Sequence, residues 1–410
     1  MHTGKNYETI IVGGGITGAA VAYALGAAGH GDALLLERNF PASGATAKAA
    51  AIISVARSVP ETIPYVRETL RQIDSLAAGD PGSLGFSRVG AIHAASTPDG
   101  VETLDKTLGI SRKCGVNGRE LEPGRLRAEL PWMREKTVAK ACFYADESFV
   151  DAYLLTTAYL DAAKRLGARI APMCPATGIL PRSGRGYEVK TGRGSFHARN
   201  VVIAAGAWSN LLLESLGASI PFAPVRSQYW ITGVDPELFP PRQPICILPD
   251  ARVYTRPEHG SLVIGWREPE CVYVDPRELP AEVFAHRFGR DPEGWENFEG
   301  CVRHLEPFFP AIADQGISRY VAGCSTYTPD GLFNVGEIPG FPGLYAAAGC
   351  SGMGVAACGG IGRAVAECVA EGVTGLPLGP FSPNRFGARD VFSREFMLSC
   401  ASARSAKKTG

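Results

Sequence analysis

Residues 7 to 37 read YETIIVGGGITGAAVAYALGAAGHGDALLLE: a short apolar strand, a glycine turn, an alanine-rich helix, and a second apolar strand closing on an acid. Gly13, Gly15 and Gly18 stand at the spacing G-x-G-x-x-G. In that arrangement the first glycine permits a tight turn, the second lets backbone approach a pyrophosphate, and the third lets helix lie close on strand. Phosphate then sits at a helix N-terminus, where unpaired N–H groups and the helix dipole favour negative charge without a lysine. Glu37 follows Gly18 by 19 residues, where an acid accepts hydrogen bonds from an adenosine ribose. Three glycines alone are weak evidence. Strand, helix, strand and acid together predict a unit that binds an adenine dinucleotide.

The rest of the composition bounds the answer by exclusion. With 41 basic and 41 acidic side chains in 410 residues, the chain has no charge excess to attract nucleic acid or an anionic membrane. The unit begins at Tyr7, which leaves no room for a signal peptide, and no apolar run is long enough to span a bilayer; the expected location is the cytoplasm. Eleven cysteines are scattered without a C-x-x-C pair and seven histidines are dispersed, so neither a disulfide framework nor a metal site is expected.

Along the chain, α/β patterning alternates with strand-rich stretches, predicting an α/β fold with two interleaved domains. Residues 1–85, 146–220 and 329–392 form the dinucleotide-binding domain, residues 86–145 and 221–328 the strand-rich one, and 393–410 a polar, basic, frayed tail. Helices are expected at 61–78 and 152–166. VRSQYWIT, RVYTRP and SLVIGW alternate in hydrophobicity, the last two as a hairpin about His259-Gly260. A second glycine loop, with Gly349, Gly352 and Gly354, precedes a long apolar helix. Its spacing, G-x-x-G-x-G, does not favour a second dinucleotide fold. The loop is expected to approach the other end of the same cofactor; if that end is a flavin, the helix dipole favours negative charge at N1 and C2=O of the reduced ring. The alternative is a glycine-rich cap that only packs.

Taken with SGATAK at 43–48, the FVDAYLL helix start, AAGAWS and TPDGLFNVGEIPGFPGLYAAAGCSGMG, the chain resembles the D-amino acid oxidase-like family of FAD-dependent oxidoreductases. This family includes glycine and sarcosine oxidases, D-amino acid dehydrogenases and dimethylglycine dehydrogenase. The resemblance implies FAD, here expected to be non-covalent, held by the first unit (Gly13, Gly15, Ile16, Thr17, Gly18, Glu37, Arg38) and by the following turn (Ser43, Thr46, Ala47, Lys48). It also implies contacts from Gly206 with Trp208, and from the late loop (Gly349, Ser351, Gly352, Met353, Gly354, Val355). A strand-rich domain then caps the flavin and forms the substrate cavity. The implied reaction is hydride transfer from the carbon beside an amine nitrogen to flavin N5, followed by imine hydrolysis. The partners implied are a small-molecule amine or amino-acid substrate, an electron acceptor or oxygen, and a partner subunit or second copy.

The chain departs from the family where substrate is held. Many members place an arginine before the TPD motif to bind the substrate carboxylate; here that position is Ser325, and a second arginine position is Ser54. Arg57 is the best replacement, unless it is merely the exposed end of AIISVAR. Tyr254 matches a substrate-facing tyrosine of related dehydrogenases, or is a sheet tyrosine. Arg256, on the same strand face, is expected to bind an interdomain carboxylate. Lys48 is either near the cofactor or solvated. Val263 stands where sarcosine oxidases carry an oxygen-activating lysine, which favours a dehydrogenase. Cys324 lies one residue from the position, Gly323, at which some relatives attach flavin covalently. Two other readings remain: an FAD-dependent 2-hydroxy-acid dehydrogenase, and a non-catalytic flavin-binding subunit.

Overall fold

The computed structural model describes residues 6–77, 79–122, 124–280, 288, 291 and 293–408. It is an α/β fold built on two eight-stranded sheets and a small three-stranded one. The first large sheet grows from strand Asn6–Val12, whose Ile10, Ile11 and Val12 are all buried, as a parallel strand covered on both faces requires. It pairs in parallel with Ala33–Leu36 on one side and Gly194–Ile203 on the other, and Arg169–Ala171 and Leu344–Ala348 extend the parallel set outward. Ala176–Pro181, Tyr187–Thr191 and Asn334–Glu337 complete it as antiparallel strands. Helix Ile16–Ala27 lies against Gly354–Glu371 and Ala152–Arg165, and Ile63–Leu76 packs on Gly354–Glu371.

The helix expected at 61–78 begins as a 3₁₀ turn, Pro60–Thr62, and continues as Ile63–Leu76; Ala78 lies outside the described residues. The 152–166 helix runs Ala152–Arg165, with the Asp151 carboxylate accepting from Tyr153 N and Leu154 N at 2.8 and 2.9 Å. That cap fills two donor positions the helix itself leaves open.

The second large sheet runs, in spatial order, Ile317–Tyr327, Ala223–Thr232, Ser261–Trp266, Val253–Glu258, Ile245–Leu248, Ala91–Ala95, Lys140–Tyr144 and Gly118–Glu120. The expected hairpin is present: His259 and Gly260 both take positive φ, +49° and +82°, between the paired residues Glu258 and Ser261. Two consecutive residues in that region give a turn whose twist matches the strands it joins. Tyr254 stands opposite Gly265, where an added Cβ would meet the tyrosine ring at 1.9 Å; glycine leaves the space the ring occupies.

The C-terminal segment is not frayed. Arg394–Ala406 is a helix capped by Ser393, whose hydroxyl accepts from Phe396 N at 3.3 Å. Phe396, Met397, Cys400, Ala401 and Arg404, buried together with Ser405, form a 3.6-residue stripe laid on strands Ala223–Thr232 and Ile317–Tyr327. The basic charge that reads as a solvated tail points partly inward: Arg404 is 3% exposed and donates to Glu268 at 2.5 Å, while Arg226 holds the other Glu268 oxygen at 3.1 Å. Residues 409 and 410 lie outside the described residues. Among the described residues, no helix is long and apolar enough to cross a membrane.

Candidate functional site

The turn after the first strand is built on close approach. Gly13 takes φ +113°, and a Cβ on Gly18 would lie 2.0 Å from the Gly13 carbonyl oxygen, so only glycine lets the helix sit on the turn. Gly15 differs: its φ is −72° and a Cβ would meet only Thr46 Oγ1, at 3.3 Å. The space in front of it is open, and the helix N-terminus faces that space with donors that have no intrahelical partner. Thr46 Oγ1 accepts from Ile16 N at 3.1 Å, tying the 3₁₀ turn Ala45–Lys48 to the helix start. Glu37 is fixed by Gly14 N at 2.7 Å and Asn39 N at 2.8 Å. The Arg38 guanidinium stacks 4.5 Å above the Trp208 ring.

These groups open into one elongated cavity that runs on to the second sheet. About 310 Å3 of it admits the centres of water-sized molecules, against roughly 10–15 Å3 for a single water; it takes an extended ligand. Gly13, Gly15, Ile16, Thr17, Glu37 and Arg38 line its first part. Ser43, Thr46, Lys48, Gly206 and Trp208 form the next wall, and Gly352, Gly354 and Val355 the far one. Gly18, Ala47, Gly349, Ser351 and Met353 do not reach it. Ser351 is fully buried at φ +49°, with its hydroxyl donating to Leu332 O at 3.0 Å, so it shapes the loop from behind. Met353 is buried as the N-cap of helix Gly354–Glu371.

Ser54, Arg57, Tyr254 and Ser325 line the same cavity. Arg57 is 4% exposed, so it is not the exposed end of its segment. Its Nε donates to Ser54 O at 2.8 Å, and no partner for its terminal nitrogens is found among the described residues. Burial pulls its pKa down to about 10, with Glu147 opposing and Arg267 reinforcing that fall. Glu147 accepts from Val55 N and Ala56 N, both at 2.7 Å, and burial pushes its pKa up. Burial also pushes the Tyr254 hydroxyl up to about 12, so it stays protonated.

Three lining residues escape a reading of the family positions: Arg267, Arg404 and Lys407. Arg267 is 8% exposed, sits 5.6 Å above the Tyr254 ring, and donates to Lys407 O at 3.3 Å. It directly follows strand Ser261–Trp266, and continuation of the alternation from Gly265 puts it on the Tyr254 face. Arg404 and Lys407 were hidden by the assumption of a tail, although Ser393 and the stripe 396, 397, 400, 401 mark a capped helix.

Other expected contacts shift. Arg256 does not line the cavity; it bridges to Ala50 O at 2.7 Å, pairs with Glu258 on its own strand and lies 4.9 Å over Phe149. Its long-range partner is thus a carbonyl, because the carboxylate it needs stands two residues away. Val263 is fully buried and outside the lining. Lys48, Arg57, Arg267 and Lys407 line the cavity, basic groups delivered by elements other than the strand that carries Val263. Cys324 lines the cavity, but burial drives its thiol up to about 12. At Gly323, a Cβ would meet Lys48 Cβ at 2.6 Å, leaving no room for a cysteine.

With this geometry in view, comparison with known proteins is specific. The model for "FAD dependent oxidoreductase" matches residues 8–368. The 4-methylaminobutanoate oxidase (formaldehyde-forming) of Paenarthrobacter nicotinovorans is 31% identical over 92% of this chain and 45% of its own length. Mitochondrial dimethylglycine dehydrogenase of Rattus norvegicus is 27% identical over 93% of this chain and 45% of its own. The chain thus spans less than half the length of these curated relatives. The crystal structure of L-proline dehydrogenase from P. horikoshii superposes with a TM-score of 0.81 at 24% identity, covering 93% of this chain and 98% of that one, which shows the shared fold. An open helix N-terminus beside a fixed ribose-type acid fits the adenine dinucleotide such proteins hold. By its sequence match, and with a cavity of this form, the chain belongs to the FAD-dependent oxidoreductases.

Proposed function

We propose that this chain oxidises the C–N bond of a secondary or N-methylated amino acid, giving an imine that hydrolyses. The carrying observation is a substrate end lined by Arg57, Arg267 and Tyr254, with Glu268, which follows Arg267 in sequence, already engaged by Arg226 and Arg404. A carboxylate is the group such an end lacks. The names of the relatives, a methylaminobutanoate oxidase and a dimethylglycine dehydrogenase, carry that chemistry.

Bound FAD supplies the two-electron acceptor. Glu37 and the Gly13–Gly18 turn would hold its adenosine and pyrophosphate, and the loop before helix Gly354–Glu371 its other end. Arg57 and Arg267 orient the substrate through its carboxylate, and Tyr254 adds a hydroxyl donor. The same cations lower the pKa of a bound ammonium, so the amine binds neutral and no side-chain base is required; no histidine lines the cavity among the described residues. The first sheet and its helices form the FAD-binding domain and the second sheet the substrate domain. All eleven cysteines are free, which suits a reducing compartment such as the cytoplasm.

The test is an anaerobic visible titration with N-methyl amino acids, their decarboxylated amines, and 2-hydroxy acids. Bleaching by the first class alone supports the reading; bleaching by hydroxy acids, or by none, removes it. Because neither Cys324 nor position 323 offers a thiolate, FAD is expected to be non-covalent. Acid precipitation should leave a colourless pellet and all flavin in the supernatant, and a yellow pellet would contradict this.

A further inference from the structure

We propose that Lys407, carried to the cavity by the C-terminal helix, forms with Arg57 and Arg267 a receptor for the substrate's anionic end and takes up a proton when that anion binds. The proposal rests on the amine-oxidation reading above for the identity of the ligand, and on the geometry of Lys407 for the proton.

Lys407 follows helix Arg394–Ala406 directly and lines the cavity. Its Nζ donates to the Ser351 carbonyl at 3.1 Å, and an added Cβ on Gly352 would lie 3.9 Å from it. It therefore stands at the loop that opens helix Gly354–Glu371. The charges acting on it are of one sign: Arg57 from the early segment, Arg267 from the hairpin, and Arg404 from its own helix. Of the carboxylates nearby, Glu268 is fully engaged, whereas Glu147 accepts through Oε1 and its Oε2 has no partner among the described residues. Glu268 is shared between Arg226 and Arg404, Glu147 accepts from Val55 and Ala56 beside Arg57, and the neighbouring Lys408 pairs with Asp99. The phenols lining the same cavity, Tyr229, Tyr254 and Tyr327, all have raised pKa values and stay neutral.

Burial first, and the three guanidinium groups second, lower the Lys407 pKa well below its ordinary value. Lys407 is partly exposed as a residue and lines the cavity, the route by which an anion can reach it. The sign follows from linkage. An anion raises the lysine pKa toward normal, so between the free and bound values binding draws in one proton. Within that window affinity falls about tenfold for each pH unit of rise, since 1.36 kcal/mol separates successive pH units. Below the free pKa the lysine is already charged and affinity is flat.

Acetate is the probe, because above about pH 6 it is fully ionised and any proton taken up must go to the protein. Acetate would be titrated into the FAD-loaded chain from about pH 6 to 10, followed by flavin absorbance and by calorimetry in two buffers of different ionisation heat. The expected result is uptake approaching one proton per acetate within the window, with the tenfold-per-unit loss of affinity. Lys407→Met should abolish the uptake and leave weaker, pH-independent binding, whereas Lys407→Arg should bind acetate without uptake. Wild-type binding with no uptake, or no acetate binding, overturns the proposal; so does uptake that survives in Lys407→Met, which would assign the proton to Glu147 or Arg57. If Lys407→Met fails to retain FAD, the wild-type titration still decides. Flavin reduction by N-methyl amino acids is scored separately: its failure removes the amine reading, while the acetate result judges Lys407.

Discussion

Gly15→Ala is expected to give a folded protein that no longer retains FAD, whereas Gly18→Ala is expected to give little folded protein at all. The contrast comes from what each new methyl meets. At Gly18 it would lie 2.0 Å from the Gly13 carbonyl, a backbone atom that no rotamer change can move, so the helix must leave the strand it covers and the cost exceeds the about 1–3 kcal/mol of ordinary core overpacking. At Gly15 the backbone is already in a conformation any residue adopts, and Thr46 Oγ1 at 3.3 Å is the only neighbour. That methyl enters the space where a pyrophosphate meets the helix N-terminus. We expect FAD affinity to fall at least about 100-fold, or about 3 kcal/mol, with the apoprotein melting within about 2 °C of the wild type. Equilibrium dialysis against FAD and thermal melting of both apoproteins measure this. Equal FAD affinity in Gly15→Ala and wild type would mean the cofactor does not approach this turn.

What the sequence revealed, and what it hid, divides by how local the determining physics is. The His259-Gly260 hairpin and the helix start at Asp151 were legible because each is set by residues within a few positions of one another, and the Gly13–Glu37 unit because its spacing repeats a fixed strand–turn–helix–strand pattern. The C-terminal helix was misread because net composition outweighed a stripe of five positions, and because a lysine at a chain end is usually solvated. Arg267 was missed for a different reason. Its role depends on Tyr254 across the hairpin and on Arg57 some two hundred residues earlier, and no periodicity reports that meeting. Matching family positions one by one, at Ser54, Ser325 and Val263, located where the usual groups are absent. It could not show that other strands deliver the same charge to the same cavity, since a binding site constrains where a guanidinium arrives and not which element carries it.

Arg267→Met should therefore cost most of the activity without costing the fold. Truncating one partner of a buried charge pair costs about 2–5 kcal/mol, which corresponds to roughly 30- to 4,000-fold in kcat/KM for an N-methyl amino acid. Stability should move the other way or not at all. Arg267 has one long hydrogen bond, to Lys407 O at 3.3 Å, and lies among Arg57, Arg404 and Lys407, so its removal relieves like-charge repulsion, and methionine keeps apolar contact with the Tyr254 ring. A purely structural arginine would show the reverse, a lowered melting temperature with kcat/KM changed only in proportion to the folded fraction. The decarboxylated amine supplies the internal control: it has no carboxylate to lose, so the wild type's preference for the amino acid over the amine should shrink by the same factor. If both compounds lose activity equally, Arg267 acts on something other than the carboxylate, and the anionic end of the substrate lies elsewhere in the cavity.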